Sequence, residues 1–277
     1  MRSFGVSGSE RGQALLIIVL IMVVALTVGL SVATRSITNL RTTTEEANSA
    51  QALSAAEAGL ERSLSTNIVA EDLGSANTAS YSTSVDSLSG AQILLNNGNI
   101  VLQDEGVDLW FVPHTGNVPD WSSAWNGTIN VYWASIADSC ISSPLTAAAV
   151  EIAVVSGDPS SPILTRYVYD PCGTRRSTNN FSSVSVGGAI QGKTLQYSTG
   201  NISIVNGLIA RIIPLYGNTI IGIDTGGSSL PSQGTVVSST GTFGTGVNQI
   251  IRKLSAYQPY PALPAEYFTY GIFSPTN

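Results

Sequence analysis

Residues 11–64 read RGQALLIIVLIMVVALTVGLSVATRSITNLRTTTEEANSAQALSAAEAGLERSL, and this stretch decides the fold. From Ala14 to Ala33 it contains neither charge nor proline, and about 20 apolar residues wound as helix cross a bilayer core of ~30 Å. The run is apolar all round, unlike the one-sided stripe of a helix lying on a soluble core. A secretory signal peptide is the competing reading. Its apolar region is usually shorter, roughly 7–15 residues, but Ser31-Val32-Ala33 offers a small-residue ending. Beyond Ser36 the sequence turns polar yet keeps helix-favouring Ala, Leu, Glu and Gln as far as Leu64, and the first proline is Pro113. Leu40, Ala47, Ala50, Leu53, Ala56, Leu60 and Leu64 recur at helical spacings and predict a narrow apolar stripe on a polar rod. Span and extension together predict one helix of about 50 residues, roughly 75 Å long.

After Leu64 the chain becomes rich in Ser, Thr, Asn and Gly, and the apolar period shortens towards two. Residues 65–89 read as an ordered but irregular connection. Ile93-Leu94-Leu95 and Ile100-Val101-Leu102 flank Asn96-Asn97-Gly98-Asn99, the pattern of a β-hairpin. Further strands are expected at Ile129–Trp133, Ala149–Val155, Ile163–Tyr169, Leu208–Tyr216, Thr219–Ile223, Gln249–Ala256 and Phe268–Phe273. The prolines of Tyr257–Pro264 extend that segment and set a last strand at a sheet edge. So many short runs exclude a regular α/β alternation. The expected fold is α+β: a long N-terminal transmembrane helix, then an antiparallel β-rich head spanning residues 65–277.

Only 11% of the 277 residues are charged and the net charge is -6, against ~25% charged in ordinary soluble domains. In an acidic chain without a basic stripe no nucleic-acid partner is expected. Arg166 and the pair Arg175-Arg176 read as solvated loop residues. Cys140 and Cys172 are the only cysteines and His114 the only histidine, too few for a four-ligand structural zinc. Their setting favours a disulfide over two buried thiols. If they are bridged, the head lies in an oxidising compartment and the N-terminus in the cytoplasm.

With those residues in hand, the stretch from Arg11 to Leu64 resembles the N-terminal region of PilX-like minor pilins, and of related type II secretion pseudopilins. The matching elements are the basic leader closed by Gly12, the apolar helix, the Thr/Glu-rich continuation and the AAEAGLE segment at Ala55–Glu61. The resemblance implies a class III leader, residues 1–12, cut by a prepilin peptidase between Gly12 and Gln13. The mature helix then covers 13–64, with its membrane span at about 14–33 and an amphipathic extension at 36–64. It also implies a single-pass membrane protein with an extracytoplasmic head, whose helix joins other pilin subunits in a cell-surface pilus. In major pilins the first mature residue is usually phenylalanine, with a glutamate five residues after the cut to neutralise a neighbour's N-terminal amine. Here Gln13 and Ile17 stand in those places. A subunit without that carboxylate suits a tip or priming complex better than a repeating shaft, because an unpaired buried ammonium is costly. A permanently anchored surface adhesin that never enters a filament is the alternative.

The head offers little chemistry, so no enzyme and no cofactor are expected. His114 sits in the turn-like Val112–Gly116, an unpromising frame for a Ser-His-Asp arrangement. Asp104, Glu105 and Asp108 lack the ligand series of a calcium loop and read as solvated. Asp158 and Asp224-Thr225-Gly226-Gly227 read likewise. Trp110, Trp121, Trp125 and Trp133, with Tyr257, Tyr260, Tyr267, Phe268, Tyr270 and Phe273, read first as core anchors and second as a ligand or subunit contact.

Overall fold

The computed structural model describes residues 10–66, 70–72, 79–135, 138–141, 146–246 and 249–269. Side chains are described throughout except at 10–14, 66, 70–72 and 269. Helix α1 (Glu10–Thr66) is followed by β1 (Ala70–Asp72), β2 (Ala79–Ser87), β3 (Gln92–Leu94), a 3-10 turn (Leu95–Gly98) and β4 (Val107–Trp110). A small ribbon of β5 (His114–Thr115) and β6 (Val118–Pro119) precedes β7 (Trp125–Trp133), β8 (Ala149–Asp158) and β9 (Ser161–Tyr169). Then come α2 (Gly173–Asn179), β10 (Ser185–Ile190), β11 (Lys193–Ser198), β12 (Ile202–Leu215) and β13 (Ile221–Asp224). The last elements are β14 (Gly234–Phe243), β15 (Ile250–Pro259) and α3 (Glu266–Thr269). The protein is α+β, a long apolar N-terminal helix followed by antiparallel β-structure.

The chain divides into two units, residues 1–83 with 239–254, and residues 84–238 with 255–277. In the first, α1 is one uninterrupted helix of 57 residues, about 86 Å at 1.5 Å per residue. Nothing in its interior breaks it: Gly12, Gly29 and Gly59 weaken the propensity only singly, and proline is absent. The buried positions of α1 are Ala52, Ala55, Ala56, Gly59 and Ser63. Of the expected stripe only Ala56 is fully buried, whereas Leu40, Leu53 and Leu64 are exposed. Close approach is the reason. A Cβ on Gly241 of β14 would stand 2.1 Å from the carbonyl oxygen of Ala52, and one on Gly59 would meet the ring of Tyr81 at 2.6 Å. Small side chains let sheet backbone reach the helix, and leucine there would hold it off. Arg252 adds hydrogen bonds to the Ser49 hydroxyl at 2.6 and 2.9 Å. Strands β1, β2, β14 and β15 form an antiparallel sheet in that order, so β1 and β2 occupy a region expected to be irregular.

The second unit is built on a nine-stranded antiparallel sheet whose main path runs β10-β11-β7-β12-β8-β9. Strand β12 organises it. β7 and then β4 line one edge, while β8 lines the other from Gly207 to Leu215. Both faces of β12 are covered: Ala210 and Ile212 enter the principal core with Ile129, Val131, Trp133, Ile152 and Ile223, while Leu208 and Ile209 enter a second cluster with Trp110, Ala153 and Phe268. Burial on both faces explains why this strand reads as a nearly continuous apolar run.

Two expectations are corrected here. The segment Asn96-Asn97-Gly98 does not turn a hairpin between its flanking runs. Ile93 and Leu94 pair with Ile223 and Gly222, and Val101 bridges Thr219, so both runs lie along the same neighbouring segment. Asn96, Asn97 and Gly98 all take left-handed φ of 52°, 52° and 73°. Three such residues in a row make a detour that returns the chain to its course, whereas a two-residue type I′ turn would reverse it. The second correction concerns Phe268, which begins no strand. It lies in the helical turn α3, and residues 270–273 are outside the described residues. The last strand, β15, stands at one edge of its sheet, and the proline-rich segment begins within its final residues, Tyr257–Pro259.

Candidate functional site

The first candidate site is the N-terminal part of α1. Leu15 to Val32 are exposed, with Ile17 54% and Leu26 73% accessible. A helix satisfies its own backbone hydrogen bonds, so such a segment can be carried into an apolar medium without unpaired amides. The stretch beginning at Leu15 is long and apolar enough to span a membrane. Thr27, Thr34, Thr38, Thr42, Thr43 and Thr44 turn their hydroxyls back onto carbonyls three or four residues earlier, which removes those donors from competition with the surroundings. Ile17 stands among apolar neighbours. Gly12 and Gln13 lie within α1, but the side chain of Gln13 and all of residues 1–9 are outside the described residues.

Cys140 and Cys172 are joined in a disulfide with 4.9 Å between Cα atoms. It ties the chain leaving β7 to the entry of α2, and Cys172 is completely buried. Beside it lies a polar centre that sequence reading missed. Asp170 is fully buried; its carboxylate accepts hydrogen bonds from the Cys172 amide at 2.8 Å, Arg175 Nη2 at 2.7 Å and Asn179 Nδ2 at 2.9 Å. Arg175 also donates to the Ala147 carbonyl and lies over the Tyr216 ring at 4.6 Å. The signal was present in Asp170-Pro171-Cys172-Gly173, an acidic side chain just before a short helix where it can accept free amides. Arg175 is therefore no solvated loop residue.

Asp108 is likewise a structural partner, not part of a solvated acidic loop. Arg211 Nε and Nη2 donate to its two oxygens at 2.7 and 2.8 Å, and the two side chains are only 10% and 5% exposed. The fork–fork geometry is the strong form of this pair. The remaining capacity of both residues holds the C-terminal segment. The Leu263 amide donates to Asp108 at 3.0 Å, Arg211 donates to the Leu263 carbonyl, and the Arg211 guanidinium lies 4.2 Å from the centre of the Phe268 ring. Arg166 pairs with Glu151 and donates to the Phe268 carbonyl. Asp158 and Asp224 close local turns onto the amides of Ser160 and Gly226 at 2.8 Å, and the Ser160 hydroxyl and amide hold the Asp158 carboxyl below its usual range.

The aromatic residues divide. Trp133 is fully buried and donates to the Ala148 carbonyl at 2.8 Å; Trp125 stacks on Phe111 at 5.4 Å. His114 stacks on Tyr260 at 3.8 Å and meets Trp110 edge-on at 4.5 Å. Burial lowers the pKa of His114, and among the described residues no serine or carboxylate hydrogen-bonds its ring nitrogens. Burial also pushes the Tyr257 hydroxyl up to about 12, with that hydroxyl donating to the Gln233 carbonyl at 3.0 Å. Among the described residues no group of three or more His, Cys, Asp and Glu side chains could hold a metal ion. Comparison with family models, curated proteins and solved structures found no match.

Proposed function

We propose that this protein is a non-enzymatic minor pilin or pseudopilin that primes, caps or decorates a type IV pilus-like filament. The observation that carries the reading is the division of labour along α1. Its apolar Leu15–Val32 segment is exposed among the described residues, while small residues between Ala52 and Ser63 of the same helix pack on sheet. A helix built this way delivers an apolar rod to lipid or to a bundle of like helices and keeps a folded body at its other end. The N-terminus lies in the cytoplasm and the head outside; the Cys140–Cys172 bridge supports this side for the head, because such bonds persist in oxidising compartments. Partners are the helices of other pilin subunits, and a prepilin peptidase that cuts between Gly12 and Gln13. Coexpression with such a peptidase, followed by determination of the N-terminus and mass of the membrane-extracted product, tests this. A start at Gln13 is expected; an intact Met1 overturns pilin processing, and a cut near Ala33 overturns membrane retention altogether.

A second reading, a permanently anchored surface adhesin, is favoured by one residue. Ile17 occupies the place of the carboxylate that pairs with a neighbour's amine in repeating subunits. In the pilin reading the same residue directs the subunit to a tip or priming complex. Ile17→Glu separates the two: it moves a tip subunit into the shaft, and leaves an anchored adhesin outside filaments.

A further inference from the structure

A groove in the second unit is not used by either reading. It encloses about 470 Å³ and runs between the chain at residues 105–110 and the segment 257–262, within the range of about 300–1,000 Å³ typical of small-ligand sites. Its inner wall is fixed. Gln233 spends its amide on the Trp110 backbone, accepting from the amide at 2.7 Å and donating to the carbonyl at 2.8 Å. Its outer wall is held by the Asp108–Arg211 pair through Leu263. Asn96, Glu105, Asn117 and Gln258 also line it, and none of these four side chains makes a hydrogen bond with the described chain. Tyr257 and Tyr260 supply rings, the latter backed on one face by His114.

We propose that this groove binds a neutral saccharide. Planar amides and carboxylates offer two adjacent polar atoms, which match vicinal hydroxyls as paired donor and acceptor. The negative face of a tyrosine ring complements the C–H face of a pyranose. Among the described residues no lysine or arginine lines the groove; Asp108 is neutralised by Arg211, which leaves the Glu105 carboxylate as the charge that disfavours anionic sugars and phosphates. Binding exchanges the hydration of these exposed side chains for sugar hydroxyls, while the pre-formed walls limit the ordering cost. The site concerns what the head holds and does not depend on filament entry.

The test is saturation-transfer NMR on the full chain in a zwitterionic detergent, since sugar-headed detergents would compete. The probes are the methyl glycosides of glucose, galactose and mannose, N-acetylglucosamine, and sialyllactose as the anionic control. Transfer to at least one neutral sugar and none to sialyllactose is expected. Asn117→Ala and Gln258→Ala, both at exposed positions, should each weaken that binding by about tenfold with unchanged thermal unfolding, and Tyr260→Ala should abolish it. Absence of transfer to every neutral sugar, preference for sialyllactose, or binding indifferent to both exposed variants overturns the proposal. Processing at Gly12 is read separately, so failure here leaves the filament reading untouched.

Discussion

Two nearly continuous apolar runs behave in opposite ways in this molecule. Leu15–Val24 of α1 is exposed along its whole length, whereas Leu208–Ile212 of β12 is buried on both faces. Leucine and isoleucine recur in both, and the β12 run also holds Ala210 and the paired Arg211. What differs is how the backbone is satisfied. A helix closes its hydrogen bonds within itself and can present apolar side chains to lipid or to other helices. A strand needs neighbours on both edges, and those neighbours bring the side chains that bury it. The β12 core is therefore closed by its own neighbours, whereas the Leu15–Val24 side chains are exposed.

The contrast can be attacked by substitution, reading chemical unfolding of the full chain in detergent micelles. Ile212→Ala removes a fully buried side chain and should cost about 4 kcal/mol; a loss below about 1 kcal/mol would mean that the β12 core is not closed. Next in size is Cys140→Ser with Cys172→Ser, which releases a bridge between residues 32 apart and should cost about 3 kcal/mol, a difference that vanishes if both proteins are compared in strong reductant. Gly241→Val sets a side chain against the Ala52 and Ala56 backbone and should cost about 2 kcal/mol, with faster hydrogen exchange over Ala52–Ser63. An unchanged exchange pattern would refute the small-residue packing of α1.

Smaller effects sharpen the same picture. His114 has a folded pKa below its usual value because burial disfavours the imidazolium. The unfolded chain then binds the proton more readily, so this contribution is complete above about pH 6.5 and fades as pH falls through that value. A His114→Gln variant should show a flatter melting temperature between pH 7.5 and pH 5 (roughly the range of imidazole titration); identical slopes would exclude the effect. Leu20→Ala should change unfolding of the head by less than about 0.5 kcal/mol, yet weaken membrane retention. Equal destabilisation by Leu20→Ala and Ile212→Ala would erase the distinction between open and closed regions.

Much of the fold was legible because it rested on local signals. The helix announced itself through an unbroken apolar run and a proline-free continuation, and β7, β8, β9, β12, β13 and β15 through short runs of Val, Ile and Tyr. Eight strands were not: β2 and β11 are polar, β10 and β14 glycine-rich, and β1, β4, β5 and β6 only two to four residues long, and such strands are recruited by neighbours more than by their own propensity. The candidate site was less legible than the fold. Asp108 and Arg211 are 103 residues apart, Asp170 and Ala147 belong to different loops, and His114 meets Tyr260 only after the C-terminal segment returns. Window-based reading cannot join such residues, since pattern reports faces and not partners.

By itself, then, the sequence determined the properties that each segment carries within its own backbone: a helix that needs no neighbour to form, a change of period at its end, and strands where short β-branched runs recur beyond that change. The tertiary structure alone decided which face of that helix is buried, through the close approach that Ala52, Ala56, Gly59 and Gly241 permit. It also decided that Asn96-Asn97-Gly98 detours rather than reverses, and that charged residues reading as solvated become buried pairs. The reason is common to all three. Burial and pairing are set by what arrives from elsewhere in the chain, and that information is absent from any local stretch.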